Sequence, residues 1–128
     1  MKDLIIETTY RTPSIDLKAT GHILIQGKSI PEISLEFYQP IIKWVEDYTQ
    51  FPSSKTIMDA KLEYFNTSST KCIILILRSL ENIKKQGYEV IVNWYYLDGD
   101  DDIFELGKDY ADILKIDFNF IKCETPFN

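Results

Sequence analysis

Five consecutive residues with short hydrogen-bonding side chains, Asn66-Thr67-Ser68-Ser69-Thr70, are followed by Lys71 and stand between two strongly apolar stretches. Tyr64-Phe65 closes the stretch before them, and Cys72-Ile73-Ile74-Leu75 opens the one after. Two kinds of chemistry suit such a segment. The first is helix capping, in which an Asn, Ser or Thr oxygen accepts from the free amides of a first helical turn. One residue is enough for that, and the remaining hydroxyls occupy positions where Ala or Glu would favour the helix more. The second is anion chemistry, because free amides and the helix dipole make a helix N-terminus favourable to negative charge. A phosphate on a hydroxyl here would add roughly −1.5 to −2 charges at neutral pH without opposing the fold. The segment is not a Walker loop, since it lacks the glycines that let a backbone wrap a nucleotide. The residues alone leave capping and phosphate chemistry both open.

A second cluster, Asp98-Gly99-Asp100-Asp101-Asp102, is followed by Glu105 and Asp109. Its alternating acids resemble a calcium loop, but Ile103 stands where that loop needs Gly, and its twelfth position is Asp109 instead of Glu. Acids in a first helical turn complement the dipole, so this run reads first as a helix start. Asp100, Asp101, Asp102 and Glu105 are also candidates for docking a basic partner, or for a weak Mg²⁺ contact beside a kinase's nucleotide. Catalysis lacks its parts. His22 is the single imidazole and lies far in sequence from the Ser/Thr turn. One His and the distant Cys72 and Cys123 do not make a usual zinc site. A Mg-dependent hydrolase built on Asp98 to Asp102 would need a completing ligand set that the chain does not offer. The expectation is no enzyme, no metal and no cofactor. A passive assembly module is the remaining alternative. It would require some of Phe37, Tyr38, Trp44, Trp94, Tyr95 and Tyr96 to stay outside the core, where strands and inner helix faces use rings first.

These clusters need elements to position them. Ile15 and Leu17, then Ile23 and Ile25, alternate with polar residues around Ala19-Thr20-Gly21, which predicts a hairpin. Ile33, Phe37, Ile41, Trp44, Val45 and Tyr48 fall at helical spacing, with Pro40 predicting a kink or a helix that starts there. A strand is expected from Thr56 to Phe65, covered on both faces. A helix with Ile73, Ile76, Leu77, Leu80 and Ile83 inside follows, its first half deeply buried by Cys72, Ile74 and Leu75, and Gly87 stops it. Tyr88 to Leu97 predicts a strand, Ile103, Leu106 and Tyr110 a third helix, and Phe118 to Ile121 a last strand. The order β-β-β-α-β-α-β-α-β is an α/β single domain, with parallel crossovers and helices covering a mixed sheet. The domain is expected over residues 1–124, with 125–128 a flexible C-terminal tail.

The bulk properties agree. At 128 residues the chain is about one domain, and 45% hydrophobic with 27% charged residues is globular composition. The net charge of −6 without a basic stripe argues against nucleic acid and anionic membranes as partners. The longest apolar run is too short to span a bilayer, and the first residues do not form a signal peptide. With both cysteines read as reduced thiols, the expected compartment is the cytoplasm.

Several of these residues, taken in order, match a known pattern. Thr12-Pro13 with Ile15, Gly27-Lys28-Ser29-Ile30-Pro31-Glu32, Phe37-Tyr38, Trp44, Leu62 and Tyr64-Phe65-Asn66-Thr67-Ser68-Ser69 belong to it. So do Lys71, Gly87, Trp94-Tyr95-Tyr96 and Glu105-Leu106-Gly107. From about Thr8 to Phe120 the chain resembles the SiaC family of bacterial regulatory phosphoproteins. The resemblance implies a fold similar to STAS domains and a role in partner switching. In such a system a dedicated kinase phosphorylates the strand-to-helix turn and a PP2C-type phosphatase reverses it. The unphosphorylated form binds and regulates an effector, a diguanylate cyclase in the best-known case. Carried over by motif, the acceptor is Thr67, with Ser68 and Ser69 as alternates, and Asn66 and Lys71 flank it as docking residues. Ile30 departs from the family's common Ser-Tyr-Pro-Glu, a change near the first helix that leaves the acceptor untouched.

Overall fold

A computed structural model describes residues 1–127. Strands β1 (Leu4–Ile6), β2 (Ser14–Lys18) and β3 (His22–Ser29) come first. Helix α1 (Ser34–Tyr48), β4 (Lys55–Phe65), α2 (Thr67–Lys85), β5 (Glu89–Leu97), α3 (Asp101–Ile113) and β6 (Asp117–Cys123) complete the chain. The element order is the expected one.

The six strands form one sheet in chain order, β1-β2-β3-β4-β5-β6. β1, β2 and β3 pair antiparallel, whereas β3 to β6 pair parallel through the three helices. The predicted β2–β3 hairpin is present. Its turn needs Gly21, where φ is +111° and a Cβ would stand 2.4 Å from the Lys55 carbonyl oxygen.

Each crossover steps the same way along the sheet. With the fixed hand of such connections, all three helices stack on one face. The strand at 55–65 is therefore covered on one face, not both as expected. Thr56, Met58, Ala60 and Leu62 point into the core, while Ile57, Asp59, Lys61 and Glu63 face outward. Tyr64, expected inside in a strand covered on both faces, is 62% exposed with the Lys28 ammonium over its ring. The outer face carries a polar row beside Leu24, Ile57 and Ile91: His22 Nε2 meets Asp59 Oδ2 at 2.7 Å, Asn93 Nδ2 donates to Asp59 Oδ1, and Asn119 Nδ2 donates to Asn93 Oδ1.

The core lies between this sheet and the helices. Ile15, Leu17, Ile23, Ile25, Met58, Val92 and Trp94 form its sheet side. Ile73, Ile76, Leu77, Leu80 and Ile83 of α2 are the predicted inner stripe and are buried, each such side chain contributing roughly 1.5–3 kcal/mol. The first half of α2 is less deeply buried than expected: Cys72 is inside, but Leu75 is 47% exposed. Gln86 caps α2 and Gly87 follows at φ +100°, the stop read from sequence.

α1 departs from its reading in two respects. It starts at Ser34, so Pro40 lies within the helix, not at its beginning. Its buried stripe is Ser34, Tyr38, Ile41, Trp44, Val45 and Tyr48, while Ile33 is 60% exposed. The stripe is rotated because Ser34 and Tyr38 turn their hydroxyls toward β3 and the start of α2.

Candidate functional site

β4 and β5 are parallel neighbours, so the turns that follow them emerge at the same end of the sheet. In open α/β sheets that carboxyl end is where ligands bind. The β4–α2 turn carries the Asn/Thr/Ser run and the β5–α3 turn carries the acidic run. Between them Lys28, Tyr64, Phe65, Asp100, Asp102 and Pro126 line an open cleft of about 710 Å³.

Asn66 is the N-cap of α2. Its Oδ1 accepts from the Ser69 amide at 2.9 Å, and its Nδ2 donates to the Pro31 carbonyl at 3.0 Å. Its own amide donates to the Ser29 carbonyl at 2.9 Å. Both ends of the side chain are thus engaged inside the protein, which makes Asn66 a bracket between β3, α1 and α2.

The hydroxyls beyond it divide sharply. Ser69 is fully buried, and its hydroxyl donates to the Ser29 carbonyl at 3.0 Å while accepting from the Ser29 hydroxyl at 2.9 Å. Ser29 Oγ also bonds Tyr38 Oη; its one proton is committed to Ser69, so Tyr38 donates. Burial pushes the Tyr38 phenol up to about 12, against a smaller lowering by Ser29, so it remains a neutral donor. Ser68 is exposed as a residue, yet its Oγ lies 2.6 Å from the Oγ of buried Ser34 and 3.3 Å from Asn66 Oδ1. Thr70 donates to the Thr67 carbonyl at 2.6 Å. Thr67 is exposed at the first helical position, and among the described residues its hydroxyl has no hydrogen-bond partner.

From the other side, Tyr110 of α3 donates its hydroxyl to the Thr70 carbonyl at 2.7 Å. Burial raises the Tyr110 phenol too, so this donor stays protonated. The first turn of α2 is held from β3, α1 and α3 together. Lys71 is exposed one turn beyond Thr67, on the same helix flank.

In the acidic turn, Asp100 caps α3 by accepting from the Ile103 amide at 3.1 Å, the capping role read from sequence. Asp101, Asp102 and Glu105 are exposed. Gly107 packs against the buried indole of Trp94, whose Nε1 donates to the Ile103 carbonyl at 2.8 Å. Among the described residues, no set of three His, Cys, Asp or Glu side chains is placed to share a metal ion. Among the same residues, no helix is long and apolar enough to cross a membrane. Beyond β6, Phe127 sets its ring edge-on to Tyr95 at 6.4 Å; of the expected flexible tail, Asn128 lies outside the described residues.

Sequence reasoning found the turn and missed its supports, Ser29, Ser34, Tyr38 and Tyr110. The set Ser34, Tyr38, Ile41, Val45 and Tyr48 has helical spacing as good as the one chosen. A search for apolar residues alone passes over a serine that is buried for its hydroxyl.

A family model for "SiaC family regulatory phosphoprotein" matches residues 6–123. The chain belongs to the SiaC family. An uncharacterized protein of Pseudomonas aeruginosa (strain UCBPP-PA14) is 34% identical to this SiaC-family chain over 129 aligned residues, covering 99% of this chain and 94% of that protein. The crystal structure of apo-SiaC from Pseudomonas aeruginosa superposes with a TM-score of 0.86 at 32% identity, covering 94% of this chain and 99% of that one. SiaC in the crystal structure of the Pseudomonas aeruginosa diguanylate cyclase SiaD with "its activator SiaC" gives 0.87 at 31% identity, covering 94% and 100%. The six-stranded sheet with three helices is thus the architecture of solved SiaC structures, and the chain is a SiaC-family regulator.

Proposed function

We propose that this protein is a non-enzymatic partner switch of the cytoplasm whose state is set by phosphorylation of Thr67. A cognate protein kinase adds the phosphate and a PP2C-type phosphatase removes it. The unphosphorylated form binds and regulates an effector, and the effector class favoured by family membership is a diguanylate cyclase. The observation that carries the reading is the contrast within one turn. Ser68, Ser69 and Thr70 are committed to internal hydrogen bonds, while the Thr67 hydroxyl is exposed and free of one among the described residues.

The physics is that of a surface switch. The turn is held from three sides, so a phosphate on Thr67 leaves the fold in place and complements the positive end of α2. A partner lying flat on the turn meets roughly −1.5 to −2 of added charge instead of a small neutral group. Burying such charge without a counterpart costs roughly 2–5 kcal/mol, about thirty- to several-thousand-fold in affinity. Lys71, Asp101, Asp102 and Glu105 lie exposed at the same end of the molecule and form the rim that kinase and effector would read.

The test is phosphosite mapping on protein recovered from its native host, with a pull-down of Thr67→Ala and Thr67→Asp beside wild type. Thr67→Ala is expected to keep effector binding and lose the phosphate, and Thr67→Asp to weaken binding. Native protein that never carries phosphate at 67, 68 or 69, or a partner indifferent to it, would refute the reading.

A further inference from the structure

We infer that Ser34 of α1 is a specificity-determining residue for the acceptor, tying down the Ser68 hydroxyl so that phosphate goes to Thr67. The inference rests on the turn being a phosphorylation site. Two neighbouring hydroxyls, Thr67 and Ser68, are both on exposed residues at the head of α2. Exposure alone does not separate them, and an unhindered serine beside a threonine would compete for the same kinase.

In the transfer, the acceptor oxygen forms a bond to the γ-phosphorus of ATP while the bond from that phosphorus to the bridging oxygen of ADP breaks. The hydroxyl proton passes to a base of the kinase, and ADP leaves. The acceptor must therefore offer both a lone pair and a transferable proton outward. Ser68 Oγ is turned inward to Ser34 Oγ at 2.6 Å, with a second, longer contact of 3.3 Å to Asn66 Oδ1. Ser34 is only 4% exposed and cannot follow Ser68 outward, because its own oxygen also lies 3.3 Å from Asn66 Oδ1 and 3.4 Å from Ser69 Oγ. Ser68 must break its short bond to react. Thr67 breaks none among the described residues.

Removing the Ser34 hydroxyl leaves Ser68 with only its longer contact. The share of phosphate on Ser68 relative to Thr67 should then rise roughly two- to tenfold, the weight of one such hydrogen bond. The experiment expresses wild type, Ser34→Ala, Ser34→Thr and Thr67→Ala in the native host and maps phosphosites by mass spectrometry, with thermal melts to check folding. Support is phosphate on Thr67 in wild type, a shift toward Ser68 in Ser34→Ala, and return of selectivity in Ser34→Thr, which restores the hydroxyl. Thr67→Ala needs no change at Ser34 and should carry roughly two- to tenfold less phosphate on Ser68 than wild type carries on Thr67. Wild-type phosphate on Thr67 with no shift in Ser34→Ala overturns the inference and leaves the switch standing. So does a Thr67→Ala protein phosphorylated on Ser68 as fully as wild type is on Thr67. Wild type without any phosphate in the turn overturns both.

Discussion

Asn66→Ala measures how firmly the head of α2 is held. The substitution removes two interactions at once. The first is the cap bond from the Ser69 amide, 2.9 Å long, and loss of an Asn cap costs about 1 kcal/mol, with a range of about 0.5–2. The second is the 3.0 Å bond to the carbonyl of Pro31, a buried residue; leaving such an acceptor unpaired costs roughly 1–3 kcal/mol, toward the low end where water can reach. Together the expected loss is about 2–3 kcal/mol. For a domain of this length that is a fall in Tm of roughly 6–15 °C. Asn66→Ser separates the two parts, because a serine caps the helix but is too short to reach Pro31. It should lose about 1 kcal/mol. Urea denaturation followed by tryptophan fluorescence is suited to this, since Trp94 is fully buried and Trp44 nearly so. An unchanged dependence on urea would confirm that only stability moved. A loss below about 0.5 kcal/mol in the alanine variant would show that Asn66 is not the bracket described, and equal losses for Ser and Ala would remove the cap from the account.

Two further outcomes follow from packing and charge. Gly107→Ala would place a Cβ 2.4 Å from Trp94 Nε1 and 2.5 Å from its Cδ1, on an indole fixed by its bond to Ile103. Overpacking of about 1–3 kcal/mol should outweigh the roughly 1 kcal/mol that Ala gains over Gly in a helix, so the urea midpoint falls; an equal or higher midpoint would show that the indole can yield. The Glu81 carboxyl accepts from the Lys115 amide at 2.8 Å and pairs with Arg78 and Lys85, which holds it below its ordinary 4.5. A lowered folded-state value means stability present above the ordinary value and lost as pH falls through the folded one. Glu81→Gln should therefore lose less stability than wild type on acidification from about pH 6 to about pH 3.5; an identical loss would assign the acid sensitivity to other carboxylates.

The hydrogen-bonding run at 66–70 was legible because nothing else in the chain resembles it, and a strand end followed by a helix start gives it an address. The three helices and the hairpin were legible from apolar spacing and from Gly21 and Gly87. The side of the sheet left open was not. Ile57 and Tyr64 look like core residues by type, and only the monotonic strand order, a long-range property, puts all helices on the other face. The rotation of α1 was hidden for a different reason. Ile33 and Phe37 carry more apolar surface than Ser34 and Tyr38, but only the latter pair can satisfy Ser29, Ser68 and Asn66. Hydrogen-bond demand from another element decided the face, and spacing within the helix carries no record of it.

Because the sheet is laid down in the order of the chain, no strand has to be threaded between two that are already paired. Each strand's neighbours in the sheet are also its neighbours in the chain, which keeps the loops to be closed short. The head of α2 is different: it is clasped by Ser34 from before and by Tyr110 from after. The surroundings of Thr67 are therefore complete only when α1 and α3 are both docked on α2.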